Sequence, residues 1–233
     1  MIVPLLHIPD GFIDIPTSAI FAVLSAIGVA IALRGARTSL DDKTAPLAGL
    51  TTVFIFAAQM VNFPVAAGTS GHLLGGALAA VLIGPYAATL AITVVLLLQA
   101  LLFADGGLTA IGLNIFNLSL LGVWSSYLIF LVLRKVLPKR KSSIPIAGLI
   151  AAFIQVPLAA TGFVLQYSLG AQSTIPVSTV FTAMISTHLL IGIGEAIITS
   201  LTLSAVLATR SDLVYGWQAI APRLEIKTTG TRS

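Results

Sequence analysis

From Leu73 to Phe103 the chain runs without one charged side chain, interrupted only by the pair Gly84-Pro85. Polar surface cannot cover such a stretch in water, so its solvent is the bilayer, whose hydrocarbon core takes roughly 20 apolar residues per helical crossing. The rest of the chain agrees: of 233 residues, 57% are hydrophobic and 9% charged, against about a quarter charged in an average soluble domain. Mean hydropathy is +1.05. A soluble globular domain is excluded. The lack of cysteine removes disulfides, thiolate metal ligands and Cys nucleophiles, which leaves nitrogen and oxygen donors for any metal.

Apolar runs punctuated by Gly, Pro and charges predict an all-α polytopic membrane protein with seven transmembrane helices, at about 18–33, 45–62, 73–84, 86–103, 110–133, 144–168 and 178–208. The third and fourth part at Gly84-Pro85, because proline lacks a backbone donor and turns its predecessor away from helical angles. All twelve Lys and Arg then fall on one side. Arg34, Arg37 and Lys43 follow the first span; Arg134, Lys135, Lys139, Arg140 and Lys141 follow the fifth; Arg210, Arg223, Lys227 and Arg232 follow the seventh. Short loops rich in Lys and Arg stay in the cytoplasm, so the N-terminus is expected outside and the C-terminus inside. Six spans would put the first two groups on opposite faces. Residues 1–208 read as a single transmembrane domain with an outer N-terminal segment 1–16, and 209–233 as a polar cytoplasmic tail. The opening MIVPLLHIPDGFIDIP lacks the basic start, sustained apolar run and small-residue cleavage site of a secretory signal.

The outer loops hold Asp10, Asp14, Asp105, His7 and His72 but no Lys or Arg. Such a rim attracts cations and repels anions, although the positive-inside rule alone would also strip these loops of basic residues. His7 stands in the turn-rich Leu6-His7-Ile8-Pro9-Asp10-Gly11-Phe12, and His72 ends Gly68-Thr69-Ser70-Gly71-His72 at the mouth of the third helix. Two neutral imidazoles meeting there would suit Ni(II), Co(II), Cu(II) or Zn(II) rather than Mg(II) or Ca(II); the ordinary alternative is a pair of interfacial histidines bonded to loop carbonyls. In the last span, His188 and Glu195 share one helical face. Ionisable groups inside a span are functional candidates, here as a proton relay, a counter-ion pair or, preferred for a single acid and histidine, an interhelical clamp. Gln59, Asn62, Gln99, Asn114, Asn117 and Gln155 read as interhelical hydrogen-bonding groups. Small residues at four-residue spacing, Gly71, Gly75 and Ala79 on the third helix and Ala22, Ala26 and Ala30 on the first, read as close-packing faces, internal or for a partner. No Gly-x-x-x-x-Gly-Lys-Ser/Thr segment is present, so ATP binding by a P-loop is not expected.

Three blocks carry a resemblance. His7-Ile8-Pro9-Asp10-Gly11-Phe12, the run from Asn62-Phe63-Pro64-Val65 through Gly68-Thr69-Ser70-Gly71-His72-Leu73-Leu74-Gly75-Gly76, and Gln99 to Thr109 closely resemble the CbiM/NikM family, the substrate-binding membrane components of energy-coupling factor transporters for cobalt and nickel. Ile191-Gly192-Ile193-Gly194-Glu195-Ala196 is similar to the family as well. The resemblance implies that His7 and His72 are metal ligands, joined by the terminal amine and the backbone amide of the first histidine; His188, Glu195, Asn62 and Ser70 stand as other site candidates. Fused chelate rings of amine, amide and imidazole lie nearly in one plane and favour Ni(II), with Co(II) held less selectively. In the family that histidine is the second residue, whereas Met1 to Leu6 precede His7 here. The expectation is a start at position 6, where Leu6 takes the place of the initiator Met, or a trimmed extension; otherwise Asp10 is the nearest substitute donor or a brace for the ligands.

The reading is thus a non-enzymatic component of an importer of the ABC class in a prokaryotic plasma membrane. It would bind Co(II) or Ni(II) outside for uptake driven by a membrane T component, two ATPase subunits and an optional small accessory membrane subunit. The cobalt would supply cobalamin synthesis. Lipid is the surrounding partner and nucleic acid is not expected. The alternative is a stand-alone cation channel or a proton-coupled secondary transporter. No paired carboxylates, His-Glu-x-x-His segment or serine nucleophile signature suggests an enzyme. A reporter fused after Ser233 is expected to be active only in its cytoplasmic form; activity outside the membrane would overturn the orientation.

Overall fold

The computed structural model describes residues 7–39, 44–60, 63–65, 69–218 and 220–221. Helix α1 (Ile15–Ser39) is capped by Asp14, whose Oδ1 accepts the Thr17 N–H at 2.9 Å. Then come α2 (Thr44–Gln59), a short antiparallel hairpin of β1 (Phe63–Val65) and β2 (Thr69–Gly71) pairing Phe63 with Gly71, and α3 (Gly76–Ile83). Helix α4 (Pro85–Phe103) opens on its proline. Helix α5 (Ile111–Val136) contains a π-helical stretch over Phe116–Gly122. Helices α6 (Ser143–Gly170) and α7 (Val177–Arg210) pack along each other, and a 3₁₀ turn at Ser211–Leu213 leads to the short α8 (Tyr215–Gln218).

Each of the seven apolar segments read from the sequence is helical, but five helices among the described residues, α1, α4, α5, α6 and α7 with its 3₁₀ extension, are long and apolar enough to cross a membrane. Two of the seven expected spans, the second and the third, are shorter than that. Helix α2 has 16 residues, and α3 has eight, all buried. The reason lies in the backbone: Gly75 (φ 78°) and Gly84 (φ 82°) bound α3 at both ends in angles that favour glycine. Leu73 to Gly75, expected as its first turn, run outside any helix. Gly71 belongs to β2 and Gly75 caps α3, so the expected Gly71, Gly75, Ala79 stripe is not a helix face. The hairpin itself is a departure from a purely helical reading.

The packing is that of a membrane protein. Buried on α1 are Thr17, Ser18, Phe21, Ser25, Ala32 and Ala36, while Ile20, Val23, Ile27 and Ile31 are more than half exposed. Small residues inside let helices approach, and large apolar ones face lipid. Helices α1 and α5 approach closely: a Cβ on Gly112 would lie 2.4 Å from the Ala22 Cα, and Ser25 Oγ donates to the Gly112 carbonyl at 2.7 Å.

Residues from 209 on are not wholly the polar tail expected. Val214 is fully buried in the core, and a Cβ on Gly216 would meet Phe130 at 2.7 Å and Val81 at 3.0 Å. Because α3 is so short, room is left beneath it that this segment fills. Lys141 Nζ donates to Ser211 Oγ at 2.8 Å and lies over the Trp217 ring. Gly112→Ala is expected to destabilise the protein by about 1–3 kcal/mol, because the intruding methyl meets backbone that cannot rotate away. A lowered thermal midpoint in detergent is the check.

Candidate metal site

The three blocks singled out in the sequence meet at one end of the bundle. Gly106 (φ 95°) and Gly107 bring the loop after α4 against the N-terminal segment: a Cβ on Gly106 would lie 2.8 Å from the His7 Cβ, and one on Gly107 would lie 2.3 Å from the Asp10 nitrogen. Gly107 N donates to the Ile8 carbonyl at 2.9 Å. Asn114 holds the same peptide from both sides, accepting from Ile8 N at 3.1 Å and donating to Ile8 O at 3.3 Å. The Asp10 carboxylate accepts from the Thr109 N–H at 2.7 Å and from its hydroxyl, and the hydroxyl bond leads in holding that carboxyl below its usual range. Asp10 therefore braces the loop with the oxygen it would otherwise offer as a donor.

The His7 and His72 rings lie 4.8 Å apart between centroids at 76°, both buried. His72 Nδ1 is 2.8 Å from the Leu73 carbonyl, which only accepts, so Nδ1 donates and Nε2 keeps a lone pair. His7 Nε2 is 2.9 Å from Gln99 Oε1 and leaves its Nδ1 uncommitted. Burial, the largest cause in each case, pushes His7 down to about 4 and His72 to about 3, the latter helped by the neighbouring His7. Each ring is thus a neutral nitrogen donor at ordinary pH, held by a hydrogen bond on its far side as metal-binding histidines are. Among the described residues no group of three or more His, Asp or Glu gathers closely enough to hold a metal. Met1 to Leu6 and Asn62 lie outside the described residues, and Ser70 is placed in β2.

Beneath the rings a buried polar network crosses four elements. Gln99 Nε2 donates to Gln59 Oε1 at 3.0 Å, and Gln59 Nε2 to the Leu74 carbonyl at 2.8 Å. Glu195 on α7 accepts from Leu74 N at 2.8 Å, Gly75 N at 2.7 Å and Gln155 Nε2 at 3.1 Å. The glycine at the start of α3 has no side chain to cap it, and Glu195 supplies that acceptor from another helix. Of the two residues read as an interhelical clamp, His188 makes no such bond: its Nδ1 turns back to the Met184 carbonyl of its own helix at 2.7 Å. Glu195 does clamp, but onto backbone and Gln155. Gln99, expected with Gln59 only as glue between helices, stands directly behind a candidate ligand, and Gln59 stands behind Gln99. For Gln99 a signal existed, since it opens the block ending at Thr109; Gln59 has no such neighbour.

Comparison with known proteins points the same way. Residues 7–213 match the family model described as "Cobalt uptake substrate-specific transmembrane region". A protein of Haloquadratum walsbyi named for metal transport is 38% identical over 90% of this chain and 94% of its own length. A protein of Archaeoglobus fulgidus named as a fused nickel transport protein, NikMN, is also 38% identical, over 90% of this chain and 68% of its own. A solved structure titled as a truncated transition metal transporter superposes with a TM-score of 0.75 at 31% identity, covering 87% of this chain and 98% of that one.

The depressed histidines fix a pH dependence. In the unfolded chain both rings take protons below about 6.5, whereas in the fold they do so only near 4 and 3. The unfolded state then binds more protons, so stability is full above pH 6.5 and is lost as pH falls toward 4. Thermal unfolding of metal-free protein in detergent is expected to show this fall, and the double variant His7→Gln, His72→Gln to flatten it.

Proposed function

The chain belongs to the CbiM family of cobalt uptake substrate-specific transmembrane regions, and from that membership we propose that it binds Ni(II) or Co(II) through His7 Nδ1 and His72 Nε2. As a member of a membrane family of cobalt and nickel transport it is a multi-pass membrane protein. One observation carries the site assignment: two buried imidazoles from separate segments meet edge to face with centroids 4.8 Å apart, each with one nitrogen tied by a hydrogen bond and the other bare. Neutral imidazoles with no thiolate nearby suit borderline divalent ions.

The ion is captured on the outer face and passed inward when partner ATPases turn over, with a T component and, where needed, a small accessory membrane subunit. This chain carries no P-loop of its own. The basic residues support the orientation. Lys141 and Ser211 meet at the end where α4 begins, and Gln99 stands beside His7 near the other end of that helix, roughly 20 Å away at the helical rise. A stand-alone channel or proton-coupled transporter loses the residue that favoured it, since the Glu195 carboxylate is already engaged by three N–H donors.

His72→Ala and His7→Ala are each expected to drop bound Ni(II) or Co(II) from the wild-type ratio to background, while Asp10→Ala keeps most of it. Mass spectrometry of metal per purified protein is the measurement, and wild-type retention by His72→Ala would sink the assignment. The part of the amine is tested by comparing the full chain with one begun at position 6 with Met.

A further inference from the structure

We propose that Gln59, on α2, is a positioning residue for a ligand it does not touch: acting through Gln99, it fixes which nitrogen of His7 carries the proton and so which one faces the ion. The proposal rests on His7 being a ligand, but its first consequence, the place of a proton in metal-free protein, requires no metal.

The direction of the relay follows from one group that has no choice. The Leu74 carbonyl only accepts, so Gln59 must turn its NH₂ toward it, at 2.8 Å. The Gln59 Oε1 is then left facing Gln99, which must in turn offer its NH₂, at 3.0 Å. Gln99 Oε1 is thereby presented to His7 Nε2 at 2.9 Å, and an oxygen there demands a proton on that nitrogen. His7 is held as the Nε2–H tautomer with a bare Nδ1. Turning Gln59 round would set oxygen against oxygen at Leu74 and NH₂ against NH₂ between the glutamines, and turning Gln99 alone would set oxygen against oxygen between them. Both glutamines are fully buried, so their polar atoms depend on each other. Nor can the anchor swing: the Leu74 and Gly75 amides are held by Glu195.

Which nitrogen is bare matters for chelation. Nδ1 sits close enough to the histidine's own backbone nitrogen to close a six-membered ring through a shared metal, and Nε2 points away from it. A free imidazole in solution exchanges between tautomers; here the choice is made before the ion arrives.

The test uses the full chain in detergent with ¹⁵N-labelled histidine, His7 being assigned by loss of its signals in His7→Gln. The metal-free wild type is expected to show His7 protonated at Nε2 alone. Gln59→Met keeps the volume but has no donor for Leu74, so Gln99 is free to turn; mixed tautomers are expected, and Ni(II) binding roughly 5- to 10-fold weaker, the worth of one net buried hydrogen bond. Gln59→Glu restores the direction, because a carboxyl in either ionisation state accepts from Gln99, and it is expected to return the single tautomer. A wild-type His7 that is mixed or protonated at Nδ1 would overturn the proposal. So would a Gln59→Met protein with wild-type shifts and affinity, or a Gln59→Glu no different from it. Should Gln59→Met fail to reach the membrane, the wild-type spectrum alone decides. Metal retained by His72→Ala fails the ligand reading instead, and leaves the spectrum to judge the relay.

Discussion

Glu195 accepts hydrogen bonds from the backbone of Leu74 and Gly75 and from Gln155, and most of what surrounds the two histidines is arranged by that contact. In a low-dielectric interior an unpaired backbone N–H costs as much as a lost hydrogen bond, and the first N–H groups of a helix have no partner of their own. The start of α3 meets that cost with a carboxylate drawn from the far end of the sequence, 120 residues away. Once the amides are held, the Leu74 carbonyl has a fixed direction and the glutamines beyond it take theirs. His72, two residues before Leu74, is placed by the same anchor.

The bundle around this network is arranged by lipid rather than by water. Helices α6 and α7 bury glycines such as Gly148 and Gly192 against each other, where a Cβ would meet the Leu203 side chain at 2.4 Å and the Phe153 carbonyl at 3.0 Å. Leucines and isoleucines on their outer faces, Leu165, Leu190 and Leu201 among them, stand exposed. With no hydrophobic drive between helices in a bilayer, close contact and interhelical hydrogen bonds hold them together. Asn117 Nδ2 to Gln166 Oε1 at 2.7 Å and Trp124 Nε1 to Thr89 Oγ1 at 3.1 Å are bonds of this kind.

Much of this was legible beforehand, for reasons that can be named. The break at Gly84-Pro85 could be read because proline acts locally, whatever the tertiary setting. The meeting of the blocks around His7, His72 and Gly107 was implied by the family resemblance. What the sequence hid was direction. Nothing near Glu195 says that its partner is backbone rather than His188, since a carboxylate's partner is set by how α7 packs on α3 and not by spacing along α7. The burial of Val214 and Gly216 was hidden as well: a short polar stretch shows no period, and its fit depends on how early α3 stops.

That early stop has an electrical meaning. A bilayer's hydrocarbon is about 30 Å thick, and thickness is what makes it an insulator for ions. Along the axis of α3, the apolar wall amounts to one helix of eight residues, roughly 12 Å at the helical rise. Hydrogen-bonded amides and a carboxylate border it on the side of the histidines, and the turn carrying Tyr215 borders it on the other, against Gly84. Between the buried polar network under His72 and the turn at Gly84 there stands only this short apolar helix, less than half the thickness of the hydrocarbon around it.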